Sequence, residues 1–410
     1  MESKKAQKRQ FFVVLMIVFL GFLGISMPYL IFPALFLNPV YSILSPETSS
    51  LTRSLLLGVT LAAYPLGQFI GSPILGALSD DYGRKGIMFT SLLVTSLASL
   101  FSGFAIRFEH LSLLIFSRFI AGLMEGNIAI ARAIAADLKG LPKHQTFGKI
   151  NATTATAYLI GPLIGGLLTD RAVFKELTVA TPFYVVAVLF FCIAILSSLV
   201  LHKSLPSKKK ERTFKERVHF PRRMKGLFAN PQLKSLILTS TFFTLAVDIF
   251  YEFGPVFLTV QWMYAPSQLI FYSAILCLGL MAGNGWLPTF VSQRTVQRWP
   301  IFGAMFAFAL LVAGIVGIAI PSAIILLFFL SGLVIGLAVT LLTVKISDAA
   351  SDRIQGEVMG VQVSLRVLGD AIICLFGGVL LILSSQLILL FASLLSLFAL
   401  VYYFLKGPSQ

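Results

Sequence analysis

Long apolar runs alternate with short polar segments along the whole chain. About twelve runs reach the roughly 20 residues that an α-helix needs to cross a bilayer, and the period-2 alternation of a transmembrane β-barrel is missing. Most loops between the runs are short, so we expect an up-and-down bundle of helices. The predicted spans are approximately 11–37, 54–79, 86–106, 111–137, 147–169, 182–202, 233–258, 265–291, 300–320, 322–346, 357–383 and 386–405.

Composition supports an integral membrane protein. Of 410 residues, 57% are hydrophobic and only 12% are charged, and the mean hydropathy is +0.90. A soluble domain of this size cannot bury so much apolar surface. The predicted fold class is therefore an all-α polytopic membrane protein with twelve transmembrane helices.

The basic charge follows the predicted topology. The net charge is +15, and 25 of the 32 Lys and Arg lie in the two tails and in alternate loops, against four in the other loops and three inside spans. This bias fits the positive-inside rule and predicts cytoplasmic termini. It points to anionic lipid as the neighbour and not to nucleic acid.

A basic, proline-interrupted segment at 203–232 divides the chain. We predict an N-terminal six-helix bundle at 1–202, a cytoplasmic linker at 203–232 and a C-terminal six-helix bundle at 233–410. The halves look like copies, as in many secondary transporters, whose substrate site lies near the membrane midplane. The matching glycines are Gly165, Gly166, Gly377 and Gly378 at an offset of 212, and Gly122, Gly126, Gly332 and Gly336 at an offset of 210.

The three cysteines, Cys192, Cys277 and Cys374, fall inside predicted spans. We interpret them as small packing residues, with neither a disulfide framework nor a metal cluster. The basic start resembles a signal peptide, but its apolar run continues past position 30, so we predict a retained first helix. The sequence indicates no cofactor, and it lacks a nucleotide-binding P-loop and a nucleophile motif, which argues against an ATP-driven pump or an enzyme.

A charged turn at 76–86 places two acids, two bases and three glycines between two apolar runs. It resembles the loop between helices 2 and 3 of the major facilitator superfamily of transporters. The family pattern is matched by Gly76, Asp80, Gly83, Arg84 and Lys85. The resemblance implies the twelve-helix major facilitator fold and transport of a solute by alternating access.

Each residue of this turn has a physical role to offer. Gly76 would let helix 2 approach a neighbour closely, Gly83 permits a tight turn, and Asp80 suits the N-terminus of a nearby helix. The resemblance implies that Arg84 pairs with the acid ending helix 4, here Asp137, as a latch that opens during transport. A plain cytoplasmic turn is the alternative.

The fifth span carries a second resemblance, to the drug:proton antiporter branch of the superfamily. The residues concerned are Ala157, Gly161, Pro162, Gly165 and Gly166, with Ala157 standing where the branch has glycine. Pro162 removes one helix hydrogen bond and bends the span. Ordinary proline-kinked packing is the alternative, since importers sometimes carry similar segments.

The fourth span holds three charges, Arg118, Glu125 and Arg132, spaced by seven residues and so expected on one helix face. Charges inside a span are costly and usually face a cavity or a partner. Arg118, with Gly122, resembles a family motif whose arginine is linked to proton coupling. A structural salt-bridge stripe is the alternative.

Two later spans also carry acids. Asp248 and Glu252 lie four apart on helix 7, and two carboxylates crowded into a poorly hydrated site favour a bound proton or cation. Arg366 and Asp370 lie four apart on helix 11 and are expected to satisfy each other. Coupling candidates are therefore Arg118, Glu125, Asp248, Glu252 and Asp370.

Substrate contacts are less specific. Other than the arginines, polar residues inside spans either line the cavity or form interhelical hydrogen bonds. The substrate-cavity candidates are Arg132, Tyr64, Gln68, Asn127, Tyr158, Tyr251 and Asn284. The first span has no carboxylate, unlike many antiporters of the resembled branch, which argues against both a polyspecific cationic-drug role and the usual proton site of that branch.

These features predict a proton-coupled exporter of drug-like or metabolite molecules in a bacterial inner membrane. Its partners would be a small-molecule substrate, protons and the lipid bilayer, and it would act as a monomer. The alternative is a proton-coupled importer of an anionic nutrient, amino acid or siderophore. A membrane scaffold or receptor is a third interpretation, which a breakable latch argues against.

Overall fold

A computed structural model describes residues 4–137, 143–169, 176–202, 220–285, 287–292, 298–318, 320–350 and 355–407. Within these residues the regular structure is helical, which confirms the predicted all-α class. The helices of the first half are α1 (Lys4–Ser26), α2 (Pro28–Leu37), α3 (Ser50–Tyr82), α4 (Arg84–Arg107), α5 (Leu111–Leu123), α6 (Gly126–Asp137), α7 (Lys143–Leu167) and α8 (Thr181–Val200). Those of the second half are α9 (Phe220–Leu227), α10 (Pro231–Trp262), α11 (Pro266–Gly285), α12 (Leu287–Ser292), α13 (Arg298–Gly317), α14 (Pro321–Ala349), α15 (Gln355–Leu383) and α16 (Ser385–Lys406).

The predicted spans coincide with these helices. Among the described residues, 11 helical stretches are long and apolar enough to cross a membrane, and Ala152–Leu167 is a shorter apolar helix at the predicted fifth span. The chain forms two compact units, Met1–Thr48 with Val59–Val218, and Ser49–Gly58 with His219–Gln410.

Glycines bring the backbones of two helices together in the first unit. A Cβ added to Gly67 would meet the carbonyl oxygen of Phe119, one added to Gly71 would meet that of Leu123, and one added to Gly122 would meet that of Tyr64. Close backbone approach of this kind is how small residues pack transmembrane helices. The glycines therefore join α3 to α5 without intervening side chains.

The second unit repeats this arrangement between α11 and α14. Added Cβ atoms at Gly279, Gly283 and Gly332 would meet the carbonyl oxygens of Phe329, Leu333 and Leu276 respectively. Each residue lies 210 or 212 positions after its counterpart in the first unit. The internal repeat is therefore present both in the positions of the glycines and in the helix contacts that they make.

Two predicted spans are interrupted. The first divides at Met27 into α1 and α2, because Pro28 has no N–H to continue the ladder. The fourth span is confirmed as one apolar stretch, Leu111–Ala135, but the single helix expected there is wrong. It divides into α5 and α6 at Met124 and Glu125, where the backbone N–H of Glu125 bonds the carbonyl of Gly122, three residues back.

The predicted linker also holds regular structure at its C-terminal end. Residues Phe220–Leu227 form the short helix α9, and proline near a helix start is tolerated because the first N–H groups have no partner there. The next helix, α10, begins where Asn230 accepts hydrogen bonds from the N–H groups of Gln232 and Leu233, at 3.0 and 3.3 Å. Asn-Pro is therefore the start signal of α10.

Candidate functional site

A charged cluster lies at the break between α5 and α6. The Arg118 guanidinium carbon is 4.4 Å from the centroid of the Tyr64 ring and 5.6 Å from that of Phe32. Arg118 is 7% exposed and Tyr64 9%. A guanidinium held between aromatic rings is stabilised by the electron-rich ring faces, so this charge is accommodated inside the first unit.

Glu125 lies at the break itself and is 3% exposed. Glu125 and Arg118 both interact electrostatically with Tyr64. Arg132 in turn lies within electrostatic reach of Glu125 and Tyr158. The charges were expected along one face of a single helix, but they lie around a helix break. We call this group the α5–α6 cluster, and its members are Tyr64, Arg118, Glu125, Arg132 and Tyr158.

The antiporter-like stretch of α7 packs against the break between α1 and α2. Ser26 Oγ lies 3.4 Å from the carbonyl oxygen of Ala157, to which it donates a hydrogen bond. A Cβ at Gly161 would meet Ser26 Oγ, and one at Gly165 would lie 2.6 Å from Met27 Cγ. Close packing therefore explains Gly161 and Gly165, whatever the direction of transport.

A second cluster joins α10 to α15 in the other unit. Arg366 donates two hydrogen bonds to Asp248, from Nε to Oδ2 and from Nη2 to Oδ1, each 2.8 Å long. Arg366 was predicted to satisfy Asp370 on its own helix, and it does interact electrostatically with that carboxylate. Its two hydrogen bonds go to the facing helix, since a bidentate pair needs a carboxylate approaching in the guanidinium plane.

The remaining acids of this cluster lie one helical turn further along. Atoms able to bind a cation in Glu252, Asp370 and Cys374 all lie within 4.8 Å of one another, and the Cys374 thiol donates a 2.7 Å hydrogen bond to Glu252 Oε2. Glu252 is 3% exposed, so the alternative of a solvated headgroup position is wrong. We call Asp248, Glu252, Arg366, Asp370 and Cys374 the α10–α15 cluster.

The two clusters differ in charge balance. Two arginines face one glutamate in the α5–α6 cluster, whereas three carboxylates face one arginine in the α10–α15 cluster. The first therefore has an excess of positive charge and the second an excess of negative charge when every group is ionised. Sequence reasoning missed Cys374, although its place four residues after Asp370 was a readable signal.

The charged turn is only partly described. Gly83 alone separates α3 from α4 and has φ 96°, a conformation that glycine adopts readily. Gly76 was expected at a close helix contact, and this is wrong for the part of the chain that the structure describes, where a Cβ at Gly76 meets nothing within 4 Å. Arg84 and Lys85 begin α4, but the side chains of Asp80 and Asp137 lie outside the described part, so the latch remains a prediction.

The other substrate-cavity candidates differ in whether they form hydrogen bonds between helices. Asn284 accepts a 2.8 Å hydrogen bond from Thr340 Oγ1 across α11 and α14, as the interhelical alternative predicts. Asn127 is 2% exposed, and its Oδ1 has no hydrogen-bond partner among the described residues. Gln68 and Tyr251 are half-buried.

Comparison with known proteins decides the family. The sequence model of the Major Facilitator Superfamily matches residues 14–373 of this chain. The chain belongs to this superfamily. It is therefore a membrane transporter and not an enzyme.

Among its relatives, multidrug resistance protein 2 of Bacillus subtilis (strain 168) is 26% identical over 406 residues, which cover 95% of this chain and 93% of the relative. The class H tetracycline resistance protein of Pasteurella multocida is 34% identical over 194 residues, 47% of this chain and 44% of that protein. A crystal structure of the nucleoside transporter NupG has the same fold, with a TM-score of 0.74 at 14% identity over 97% of this chain and 100% of that one.

Proposed function

We propose that this transporter exports small drug-like or metabolite molecules across a bacterial plasma membrane, by alternating access and in exchange for protons. The likeness to multidrug resistance protein 2 over nearly the whole of both chains supports efflux. In this proposal the two halves predicted from the sequence, 1–202 and 233–410, alternate around a central site, and the latch residues control cytoplasmic opening. The chain acts as a monomer with both termini in the cytoplasm.

The single observation that carries proton coupling is Glu125 in the α5–α6 cluster. This carboxylate is almost fully buried at a helix break, and it interacts electrostatically with Tyr64, whose ring centroid lies 4.4 Å from the Arg118 guanidinium carbon. A buried carboxylate must be paired with a positive group or take up a proton. Opening of the break would change how closely Arg118 approaches Glu125, and this would bind or release one proton per cycle.

The test uses protein reconstituted in proteoliposomes with a pH-sensitive dye in the lumen. Proton movement opposite to an added lipophilic drug would support the exporter, and Glu125→Gln should remove that dependence while drug binding persists. Glu109→Gln is the matched control, because Glu109 is exposed in the loop between α4 and α5. Unchanged proton movement in Glu125→Gln would contradict the assignment.

One observation favours the importer as a second candidate. The α5–α6 cluster has two arginines for one glutamate, and Arg132 is half-buried, so an anionic nutrient, amino acid or siderophore would balance its charge. In the same assay, proton movement in the same direction as an organic acid or amino acid would support import. Arg132→Ala should then weaken binding of the anion and leave binding of cationic drugs unchanged.

A further inference from the structure

The α10–α15 cluster contains more ligands for a cation than its ion pair uses. Asp248 is occupied by Arg366 through two hydrogen bonds. Glu252, Asp370 and Cys374 are left in a group whose oxygen and sulfur atoms lie within 4.8 Å of one another. A thiol and two carboxylates form a mixed sulfur and oxygen ligand set, which suits a borderline-soft divalent metal better than Mg²⁺ or Ca²⁺.

The spacing along α15 also suits a metal. Asp370 and Cys374 are four residues apart, the separation at which two side chains share one face of a helix, as in helical zinc motifs. Glu252 reaches the same point from α10, where its Oε2 already accepts a hydrogen bond from the Cys374 thiol. Ligands about 2.0–2.3 Å from one ion lie roughly 3.3–3.7 Å apart in a tetrahedron, so the site would form if the thiol and Oε2 of Glu252 moved apart slightly and the wider ligand separations shortened.

A separate observation points to a missing positive charge. Asp370 Oδ1 is buried and has no hydrogen-bond partner in the described part of the chain. Glu252 is almost fully buried, and the single positive charge of Arg366 is shared among three carboxylates, Asp248, Glu252 and Asp370. Uncompensated buried charge is costly, and one divalent cation would lower the net negative charge of the three ligand groups, even with the thiol ionised.

We infer that Glu252, Asp370 and Cys374 form a binding site for a divalent transition-metal ion such as Zn²⁺, which joins α10 to α15. Metal binding displaces the thiol proton: the Sγ–H bond breaks, a sulfur–metal bond forms, and the proton passes to solvent. A fourth coordination position remains for water. The site is independent of the proposed function, because its occupancy is an equilibrium property that requires no transport.

The experiment is titration of purified full-length protein in detergent, first with Zn²⁺ by calorimetry and then with Co²⁺ by absorption spectroscopy. We expect one ion per chain, release of protons, and a thiolate-to-Co²⁺ charge-transfer band that Zn²⁺ abolishes. Cys374→Ser should remove the band and weaken Zn²⁺ binding at least about tenfold, since even outer-shell partners contribute 10–100-fold. Cys192→Ser and Cys277→Ser are the matched controls and should keep both signals.

Two results would overturn the inference. One is a titration without stoichiometric binding, which would mean that the carboxylates hold protons instead. The other is a charge-transfer band that persists in Cys374→Ser. If that variant does not fold, the unsubstituted protein still gives a test, because Zn²⁺ bound at the site should raise the melting temperature, and equal melting temperatures with and without Zn²⁺ would contradict the site. A chain that binds Zn²⁺ but moves no protons would refute the proposed coupling alone.

Discussion

Arg366 on α15 binds Asp248 on α10 through both oxygens of the carboxylate, with two hydrogen bonds of 2.8 Å. The pair connects two membrane-spanning helices of one unit. Its members differ in exposure, since the Arg366 side chain is 41% exposed and that of Asp248 is 9% exposed. The carboxylate is therefore the member that depends more on its partner.

This pair gives the first prediction. Asp248→Asn or Arg366→Gln should lower the free energy of unfolding by about 1.5–3 kcal/mol, the range for a hydrogen bond to a charged group, because each leaves a charge in the span without its partner. Thermal unfolding in detergent measures the effect. The double variant should cost less than the sum of the single ones, and additive losses would contradict a direct interaction.

A control for this prediction lies on the same helix. Lys234 is an exposed cation in the first turn of α10, so Lys234→Gln removes a charge without breaking a buried contact. Its melting temperature should equal that of the unsubstituted protein. A loss as large as that of Arg366→Gln would assign the effect to total charge and not to the pair.

The glycine contacts give the second prediction. Gly67→Ala and Gly279→Ala should each destabilise the protein by about 1–3 kcal/mol, the cost of overpacking, since the new methyl group would meet a backbone carbonyl of the facing helix. Gly76→Ala, on the same helix as Gly67, meets open space and should be neutral or up to about 1 kcal/mol stabilising through helix propensity. Equal melting temperatures for Gly67→Ala and Gly76→Ala would contradict the close approach of α3 and α5.

The sequence predicts the spans because the length of an apolar run can be read locally. It predicts the repeat because identical glycines recur at a fixed offset in the two halves. It does not predict partners across helices. Arg366 has an acid four residues away on its own helix, and only the facing position of α10 makes Asp248 the partner. The break at Met124 and Glu125 was missed because no proline marks it. Cys374 was missed because its spacing from Asp370 indicates a site only together with Glu252, which is its neighbour in space but far away in the chain.

The charged turn gives the third prediction, which rests on the family resemblance. Asp80→Asn and Arg84→Ala should slow transport of any substrate, with melting temperatures close to that of the unsubstituted protein, because a latch affects the rate of conformational change. Initial rates of uptake or efflux in proteoliposomes measure this. Asp81→Asn is the control, since Asp81 is a neighbouring acid outside the family pattern. Full activity in both latch variants would remove the latch from the mechanism.

The stacking of Arg118 on Tyr64 gives the fourth prediction. Tyr64→Leu removes the ring that lies 4.4 Å from the Arg118 guanidinium carbon, whereas Tyr64→Phe keeps the ring face and removes only the hydroxyl. If the ring stabilises the buried charge, Tyr64→Leu should lose about 1–2 kcal/mol of stability, and Tyr64→Phe should lose less.

Because Tyr64 is also within reach of Glu125, Tyr64→Phe should still alter the pH dependence of proton-coupled transport. Thermal unfolding separates the two variants, and transport rates measured from acid to alkaline pH test the hydroxyl. Equal stability of both variants would show that the Tyr64 ring face contributes nothing to stabilising the Arg118 charge.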